Sequence, residues 1–284
     1  MILIADSGST KTDWVLLEGN LVVHREHTQG INPFHQDRSV IAAVLSQELV
    51  SMHSYTAKSN ELTICFYGSG VRKELEPVMR GLLSDAFPNA VNVEAHGDLL
   101  GAAISVCGSQ PGQACILGTG ANSCLFDGKA IVQNTPPLGY ILGDEGSGAV
   151  LGRLFLNALL KGFLPSSLRE QFFSQLGMCE ADVIDRVYRQ PMANRWLASL
   201  SPFIYNHRDY PAVHDIIIDN FRSFFRRNLV QYGRRDLPVG AVGSVAWFYQ
   251  DELSEAANAE GFTIGRVEQS PIDGLINYYS NYEG

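Results

Sequence analysis

The 284-residue sequence has few cysteines, and their spacing excludes the sites that cysteines usually build. There are five of them, and no two form a CxxC pair. An odd number of cysteines without such pairs fits neither a disulfide framework nor a tetrahedral zinc site. We therefore expect reduced thiols and a cytoplasmic protein.

Positive charge and long apolar runs are scarce as well. The formal net charge of -9 argues against an extended nucleic-acid surface. No uncharged apolar stretch reaches the roughly 18 residues that a membrane helix needs. The N-terminus also lacks the basic and apolar regions of a signal peptide. We expect neither nucleic-acid nor membrane partners, and the sequence leaves a homodimer open.

Short apolar runs alternate with helical periodicity, which predicts an α/β protein with mixed sheets flanked by helices. A strand–glycine loop–strand–turn–strand unit occurs twice, because Gly8–Gly19 corresponds to Gly118–Gly128. The alternative is two unrelated hairpins. We interpret the unit as an internal repeat. It predicts two domains, residues 1–107 and 108–284, with the C-terminal helix packing on the first. The second domain carries extra helices, including one over Met192–Tyr205.

Two glycine-rich loops are candidate phosphate-binding sites. The first is Asp6–Asp13 and the second is Gly118–Asn122. Glycine lets the backbone approach a ligand closely, and hydroxyls and amides suit phosphate oxygens. An aspartate after the first strand can also hold hydrated Mg²⁺. Each loop alone is equally explained as a tight turn, and it is their recurrence that favours a nucleotide.

Carboxylates occur at two further junctions between a loop and a helix. Asp98 follows a strand and begins a helix, so it is either an N-cap or a base that accepts a proton from a substrate hydroxyl. The helix N-terminus is expected to keep it ionised and weakly basic. The segment Gly143–Gly148 places two adjacent acids among glycines before a helix. These acids either accept hydrogen bonds from vicinal sugar hydroxyls or lie in a solvated capped junction.

Taken together and in this order, the loops resemble the superfamily of actin, heat-shock ATPases and hexokinases. Within it they resemble the BadF/BadG/BcrA/BcrD-type ATPase family that contains N-acetylglucosamine kinase. The most specific motif is GDEGSG at Gly143–Gly148, and the resemblance extends over nearly the whole chain. It implies two actin-like (ribonuclease H-like) domains around an interdomain cleft. It also implies ATP-dependent phosphorylation of an amino sugar, with ATP, Mg²⁺ and the sugar as ligands.

The resemblance assigns a role to each matching residue. Asp98 is implied as the catalytic base and Asp6 as the Mg²⁺ ligand. The implied ATP-binding residues are Gly8, Ser9, Thr10, Lys11, Thr12, Gly118, Thr119, Gly120, Gly243 and Ser244. The implied sugar-binding residues are Asn32, Ser69, Gly70, Asn122, Asp144 and Glu145. The family's tryptophan before GDEGS is replaced here by Pro136–Gly139, so the identity of the sugar stays open.

Two alternatives share parts of this pattern. One is an ATP-driven activator of 2-hydroxyacyl-CoA dehydratases, in which Cys115 and Cys124 would ligate an iron–sulfur cluster shared with a second chain. Both cysteines fall within predicted strands, which favours buried structural thiols. The other is a non-enzymatic nucleotide-dependent binding module, which would hydrolyse ATP regardless of sugar.

Overall fold

The structure, a computed structural model, describes residues 1–8, 10–59 and 61–281. Its contacts divide the chain into two compact units. The first unit contains Met1–Gln110, Gly128–Ala130 and the residues from Ser270 onward, and the second contains Pro111–Asp127 and Ile131–Gln269. Ser9, one of the predicted phosphate-binding residues, lies outside the described residues.

The first unit is built on a five-stranded mixed sheet with the order β3-β2-β1-β4-β5. Its strands are β1 (Ile2–Ser7), β2 (Lys11–Glu18), β3 (Leu21–Gln29), β4 (Leu62–Gly68) and β5 (Ala90–Gly97). Strands β1, β2 and β3 are antiparallel neighbours, whereas β4 and β5 run parallel to β1. The carboxyl ends of β1, β4 and β5 therefore meet at one edge, where ligands of such sheets usually bind.

The second unit repeats this topology. Its strands are β6 (Gly112–Leu117), β7 (Ala121–Phe126), β8 (Ile131–Thr135), β9 (Val239–Val242) and β10 (Ile264–Glu268). The strand order is β10-β9-β6-β7-β8, with β6, β7 and β8 antiparallel and β9 and β10 parallel to β6. Each strand thus has a counterpart in the first sheet, which confirms the predicted repeat and the fold of two actin-like domains.

Helices cover both sheets. The first unit contains α1 (Arg38–Gln47), α2 (Val50–Thr56), α3 (Glu76–Ala86) and α4 (Asp98–Cys107). The second contains α5 (Gly139–Leu142), α6 (Gly148–Leu160), α7 (Ser166–Leu176), α8 (Glu180–Tyr188), α9 (Ala193–Ala198), α10 (Ser201–Asn206), α11 (Pro211–Phe224), α12 (Ser244–Phe248) and α13 (Gln250–Ala259). The last helix, α14 (Ile272–Ser280), belongs to the first unit and packs against α4 and β1.

The helix predicted over Met192–Tyr205 is wrong, since two short helices occupy this segment. Helix α9 ends at Ala198, and α10 begins at Ser201 with Pro202 in its first turn. Proline has no backbone N–H, and its ring would clash with the carbonyl of Ala198 four residues earlier. The chain therefore bends between the two helices, and this bend shapes a cavity described below.

Each unit has its own apolar core, consistent with two separately packed domains. The core of the first unit surrounds β1, β2 and β4 and includes Trp14, Phe66 and Leu83. The core of the second unit centres on aromatic side chains from α6, α7 and α11, including Phe155, Phe172 and Phe221. Burial of such side chains contributes about 1.5–3 kcal/mol each, which makes the cores the main stabilising element.

The tight packing of α6 against α9 leads to a first prediction. A Cβ atom on Gly152 would lie 2.2 Å from the carbonyl oxygen of Leu197. We expect Gly152→Ala to lower the melting temperature of the second unit, because backbone atoms must move apart. Gly81→Ala is the matched control, since nothing lies within 4 Å of a Cβ atom there. Alanine at that position should stabilise α3 by about 0.5–1 kcal/mol. Calorimetry measures the melting temperature of both variants. Equal melting temperatures for Gly152→Ala and Gly81→Ala would contradict the close packing of α6 against α9.

Candidate active site

Two carboxylates, Asp6 and Asp98, mark the carboxyl edge of the first sheet. Asp6 pairs in register with Tyr67 of β4, and Tyr67 pairs with His96 of β5. Asp98 follows His96 by two residues. The pKa of Asp6 is raised from 3.8 to about 7, chiefly by burial and then by the negative charges of Asp98 and Asp13. The hydroxyl of Ser270, which donates to Asp6 Oδ2 at 3.4 Å, opposes this shift.

Asp98 is the first residue of α4, and Gly97 takes the N-cap position. Burial raises the pKa of Asp98, although the backbone amides of Leu99 and of Asp98 itself oppose the shift. The expectation that the helix N-terminus leaves Asp98 a weak base is therefore wrong, because desolvation outweighs the helix end. A carboxylate with a raised pKa accepts a proton more readily than an ordinary aspartate.

The raised pKa of Asp6 has a consequence for stability that can be measured. An acid that binds its proton more tightly when folded gains stability as the pH falls through the folded pKa. We therefore expect the melting temperature of the unliganded first unit to rise from pH 8 to pH 5. Asp6→Asn should remove much of that rise, since asparagine does not titrate. An identical pH dependence in the variant and the parent protein would contradict this assignment.

In the first glycine loop, some polar side chains are buried and hydrogen-bonded within the fold, whereas others are exposed to solvent. Gly8 N donates to Lys11 O at 3.0 Å and closes the turn. Thr12 is fully buried, and its hydroxyl shares a 2.7 Å hydrogen bond with Ser7 Oγ and donates to the carbonyl of Gln29. Thr10 is exposed, and Lys11 Nζ pairs with Asp13 Oδ1 at 3.0 Å. Thr12 thus supports the loop from within, whereas Thr10 and Lys11 are accessible to a phosphate.

The predicted sugar-contacting residues of the first unit lie together beside this loop. Gly70 has a φ of +78°, and a Cβ atom on it would overlap the Asn32 side chain. Asn32 Oδ1 accepts a hydrogen bond from Phe34 N at 3.0 Å. Ser69 N donates to Ser7 O at 2.8 Å and ties the turn to the end of β1. Only glycine at position 70 allows this close approach of the turn to Asn32.

In the second unit the glycine loop is fixed to the start of α6. Gly148 N donates to Gly118 O at 2.8 Å, and Ala149 N donates to Thr119 O at 3.2 Å. Gly118 N in turn donates to Gly120 O at 3.0 Å. The loop carbonyls thus accept hydrogen bonds from amides of the first helical turn, which would otherwise lack partners. The GDEGSG segment and the second glycine loop form one local structure.

Asp144 lies directly against this loop. Its Oδ1 accepts from Gly139 N at 3.2 Å, and a Cβ atom on Gly120 would come within 3.0 Å of its Oδ2. Burial raises the pKa of Asp144, although hydrogen bonds from the Gly139 and Ala121 amides oppose the shift. Its φ of +54° lies in the left-handed region, which residues other than glycine seldom adopt but which aspartate adopts more often than most. Ser147, rather than either acid, caps α6 by accepting from Val150 N.

The other two predicted sugar-binding residues of this unit are held by neighbouring side chains. Glu145 forms an ion pair with Arg227 at 3.5 Å. Arg227 lies in a π-helical turn, Phe225–Leu229, that continues α11. Asn122 Oδ1 accepts from Asn134 Nδ2 at 2.9 Å. Both side chains therefore have a defined position close to the Gly118 loop.

Asn220 of α11 is a site residue that sequence reasoning missed. It is almost completely buried, accepts from Gly146 N at 2.9 Å and donates to Ser147 O at 3.3 Å. Both ends of its amide thus hold the backbone of the GDEGSG segment. The sequence does contain a sign of this role, because Asn220 is the single asparagine on the apolar face that Ile217, Phe221 and Phe224 form. A buried amide at such a position requires partners.

The Gly243–Ser244 turn borders a cavity. Gly243 has a φ of +118°, and a Cβ atom on it would lie 2.4 Å from Leu117 O. This contact brings the start of α12 next to the Gly118 loop. The adjoining cavity has a volume of ≈ 450 Å³. It is lined by the Gly118–Thr119 loop, by α9 and α10, and by α12 with the residue that follows it.

Comparison with known proteins points to one group. Over its full length the chain is 47% identical to a Porphyromonas gingivalis protein of known structure that carries the provisional name N-acetylglucosamine kinase, with 100% of both chains covered and a TM-score of 0.93. N-acetyl-D-glucosamine kinase of Dictyostelium discoideum is 26% identical over 219 residues, which are 70% of this chain and 68% of that protein.

A second solved structure, from Chromobacterium violaceum and with the same provisional name, has a TM-score of 0.70 at 18% identity and covers 98% of both chains. At this identity the likeness concerns the fold alone. Models of known protein families gave no match to the chain. Among the described residues, no helix is both long and apolar enough to cross a membrane.

Proposed function

Since the chain belongs to the N-acetylglucosamine kinase-like family of actin-like ATPases and is an ATP-dependent sugar kinase, we propose that its acceptor is an amino sugar such as N-acetylglucosamine. The relatives that carry this name support the sugar class. The observation that carries the chemistry is the position of Asp98. It is a carboxylate of raised pKa at the same sheet edge as Asp6, Asn32 and the Ser69–Gly70 turn.

The proposed reaction is a direct phosphoryl transfer. A sugar hydroxyl oxygen attacks the γ-phosphorus of ATP, and its proton passes to the Asp98 carboxylate. The bond between the γ-phosphorus and the bridging oxygen breaks, and ADP leaves with the bonding electron pair. Because the transition state of such transfers is loose, orientation of the hydroxyl contributes more than base strength. The residues proposed to orient the sugar are Asn32, Ser69, Gly70, Asn122, Asp144 and Glu145.

The residues proposed to bind ATP phosphates are Gly8, Ser9, Thr10 and Lys11 of the first glycine loop and Gly118, Thr119 and Gly120 of the second. Thr12 supports the first loop through its internal hydrogen bonds. Gly243 and Ser244 adjoin the cavity that would take the nucleoside.

Asp6 fits a magnesium ligand. Mg²⁺ prefers oxygen donors and is usually held by one or two carboxylates together with water and phosphate oxygens. Among the described residues, no group of three or more His, Cys, Asp or Glu has the geometry of a metal site. Asp6, buried at the carboxyl end of β1, would supply one carboxylate, and the ATP phosphates and water would supply the other oxygen donors. When bound, the ion would neutralise charge on the β- and γ-phosphate oxygens.

The dehydratase-activator alternative is disfavoured by the cysteines. Cys115 and Cys124 are both fully buried in β6 and β7, and Cys115 Sγ donates to Gly240 O at 3.3 Å. A cluster shared between two chains requires thiolates at the protein surface. These two thiols instead behave as small apolar core groups.

A coupled assay of ADP release tests the proposal. The screen uses N-acetylglucosamine, glucosamine, N-acetylmuramic acid and glucose, each at saturating Mg²⁺–ATP. We expect release to depend on the sugar, with the highest kcat/KM for an amino sugar. ADP release at the same rate without sugar would instead support the nucleotide-dependent binding module.

A further inference from the structure

Helix α11 and the π-helical turn that continues it contact the GDEGSG segment at two places. Within α11, Asn220 accepts from Gly146 N and donates to Ser147 O. Seven residues later, Arg227 forms an ion pair with Glu145, whose Oε1 lies 3.5 Å from the arginine Nε. Residues at this spacing lie on nearly the same side of a helix. One side of this helix therefore holds both the backbone of the segment and one of its two acids.

Glu145 depends on Arg227 as the partner of its charge. The Glu145 side chain is only 19% exposed, whereas that of Arg227 is 72% exposed. Among the residues that the structure describes, the Glu145 carboxylate makes no other ion pair or hydrogen bond. A pair of two exposed ions contributes little, but a largely buried carboxylate is costly to keep charged without its partner. Arg227 therefore determines where this carboxylate lies.

The turn that carries Arg227 is itself held in place. It is the π-helical turn Phe225–Leu229, and such turns are rare and frequently lie at functional sites. The carbonyl of Asn228 accepts from Thr135 Oγ1 at 2.8 Å, and its Nδ2 donates to Phe224 O at 3.2 Å. Thr135 is the last residue of β8, so the turn is fixed to the edge strand of the second sheet.

The position of Glu145 matters because its neighbour is also an acid. Asp144 lies against the second glycine loop, whereas Glu145 is paired with Arg227. Burial raises the pKa of Asp144, and the negative charge of Glu145 adds to this shift. The guanidinium offsets the charge of Glu145 and keeps its carboxylate beside α11. The two adjacent acids are thus held by different parts of the fold.

We propose that Arg227 is a positioning residue for the acceptor sugar, because it holds the Glu145 carboxylate where this group accepts hydrogen bonds from sugar hydroxyls. Arg227 acts through Glu145 and need not touch the sugar. This inference rests on the proposed function, in which Glu145 is a sugar-binding residue. Loss of Arg227 should therefore affect the sugar and not ATP, and only while Glu145 is present.

The test is a double-mutant cycle of Arg227→Gln and Glu145→Gln, in which kcat and the KM for each substrate are measured. We expect Arg227→Gln to raise the KM for the amino sugar by about 3- to 10-fold, the effect of losing one ordinary hydrogen bond. Both kcat and the KM for ATP should change little. The double variant should have the sugar KM of Glu145→Gln alone, because the two residues act as one unit. Arg227→Lys retains the charge and should recover part of the loss.

Arg226→Gln is the matched control, since Arg226 lies on the same turn but pairs with Glu260. It removes one positive charge and one ion pair, and it should leave the KM for the sugar unchanged. An unchanged sugar KM in Arg227→Gln overturns the inference. So do effects of Arg227→Gln and Glu145→Gln that multiply in the double variant, or an equal rise in Arg226→Gln.

Failure of the proposed function would give a different result. Absence of sugar-dependent ADP release from the wild-type protein would contradict that function. Thermal unfolding of the same variants then measures the contact without any substrate. The losses in melting temperature of Arg227→Gln and Glu145→Gln should not add in the double variant, because either substitution alone breaks the pair. Losses that add overturn the positioning of Glu145 by Arg227.

Discussion

Replacing Asp98 with asparagine is expected to lower turnover by about 10²- to 10⁴-fold, the range for loss of a positioned acid–base group. Asparagine preserves the shape of the side chain but cannot take up the hydroxyl proton. Binding of sugar and ATP should therefore change little. The melting temperature should not fall, because the substitution removes a carboxylate whose ionised form is disfavoured by burial. A coupled assay, calorimetric titration and a thermal melt measure the three quantities.

Asp85→Asn provides the control for this experiment, since Asp85 is an exposed residue of α3 in the same unit. It should retain wild-type turnover. If Asp98→Asn also turned over at the wild-type rate, Asp98 would not be the base. A lower melting temperature in Asp98→Asn with unchanged activity would indicate that the side chain serves only the start of α4.

Asp144→Asn is expected to raise the KM for the sugar by about 10- to 100-fold, because hydrogen bonds to a charged group contribute about 1.5–3 kcal/mol. The KM for ATP should stay unchanged. Asparagine tolerates the φ of +54° and can still accept from Gly139 N, so the loop should keep its conformation. Steady-state kinetics with each substrate varied in turn separates the two effects.

Asp215→Asn, at an exposed position of α11, controls for the loss of one negative charge. It should leave both KM values unchanged. A parallel rise of the sugar and ATP values in Asp144→Asn would indicate a distorted Gly118 loop, and an unchanged sugar KM would remove Asp144 from the sugar site.

The fold was predictable because the same pattern of strands and glycine loops occurs twice in the sequence. Each sheet begins with an apolar strand, a glycine loop and a hairpin, and tight turns of this kind depend on local residues such as Gly19 and Gly128. The bend between α9 and α10 was not predicted, since Trp196, Leu200 and Ile204 continue a helical apolar pattern across it. Only the clash of Pro202 with the preceding turn reveals the break.

The candidate site was predictable where it consists of loops at strand ends, and less so where it depends on burial. Glycines and acids at positions such as Gly118 and Asp144 are visible in the sequence. Asn220 acts on the GDEGSG segment from 74 and 73 residues away, so its role requires the tertiary structure. From the sequence we expected the N-terminus of α4 to keep Asp98 ionised, whereas burial raises the pKa of this residue. A helix end is visible in the local sequence, but desolvation comes from the surrounding fold.

The proposed function depends on the transfer of the γ-phosphoryl group of ATP to an amino sugar. Mass spectrometry of the sugar after incubation with Mg²⁺–ATP tests it most directly. We expect a product heavier by one phosphoryl group, formed in equal amount to ADP and almost absent with Asp98→Asn. Release of ADP with inorganic phosphate and an unmodified sugar would contradict it.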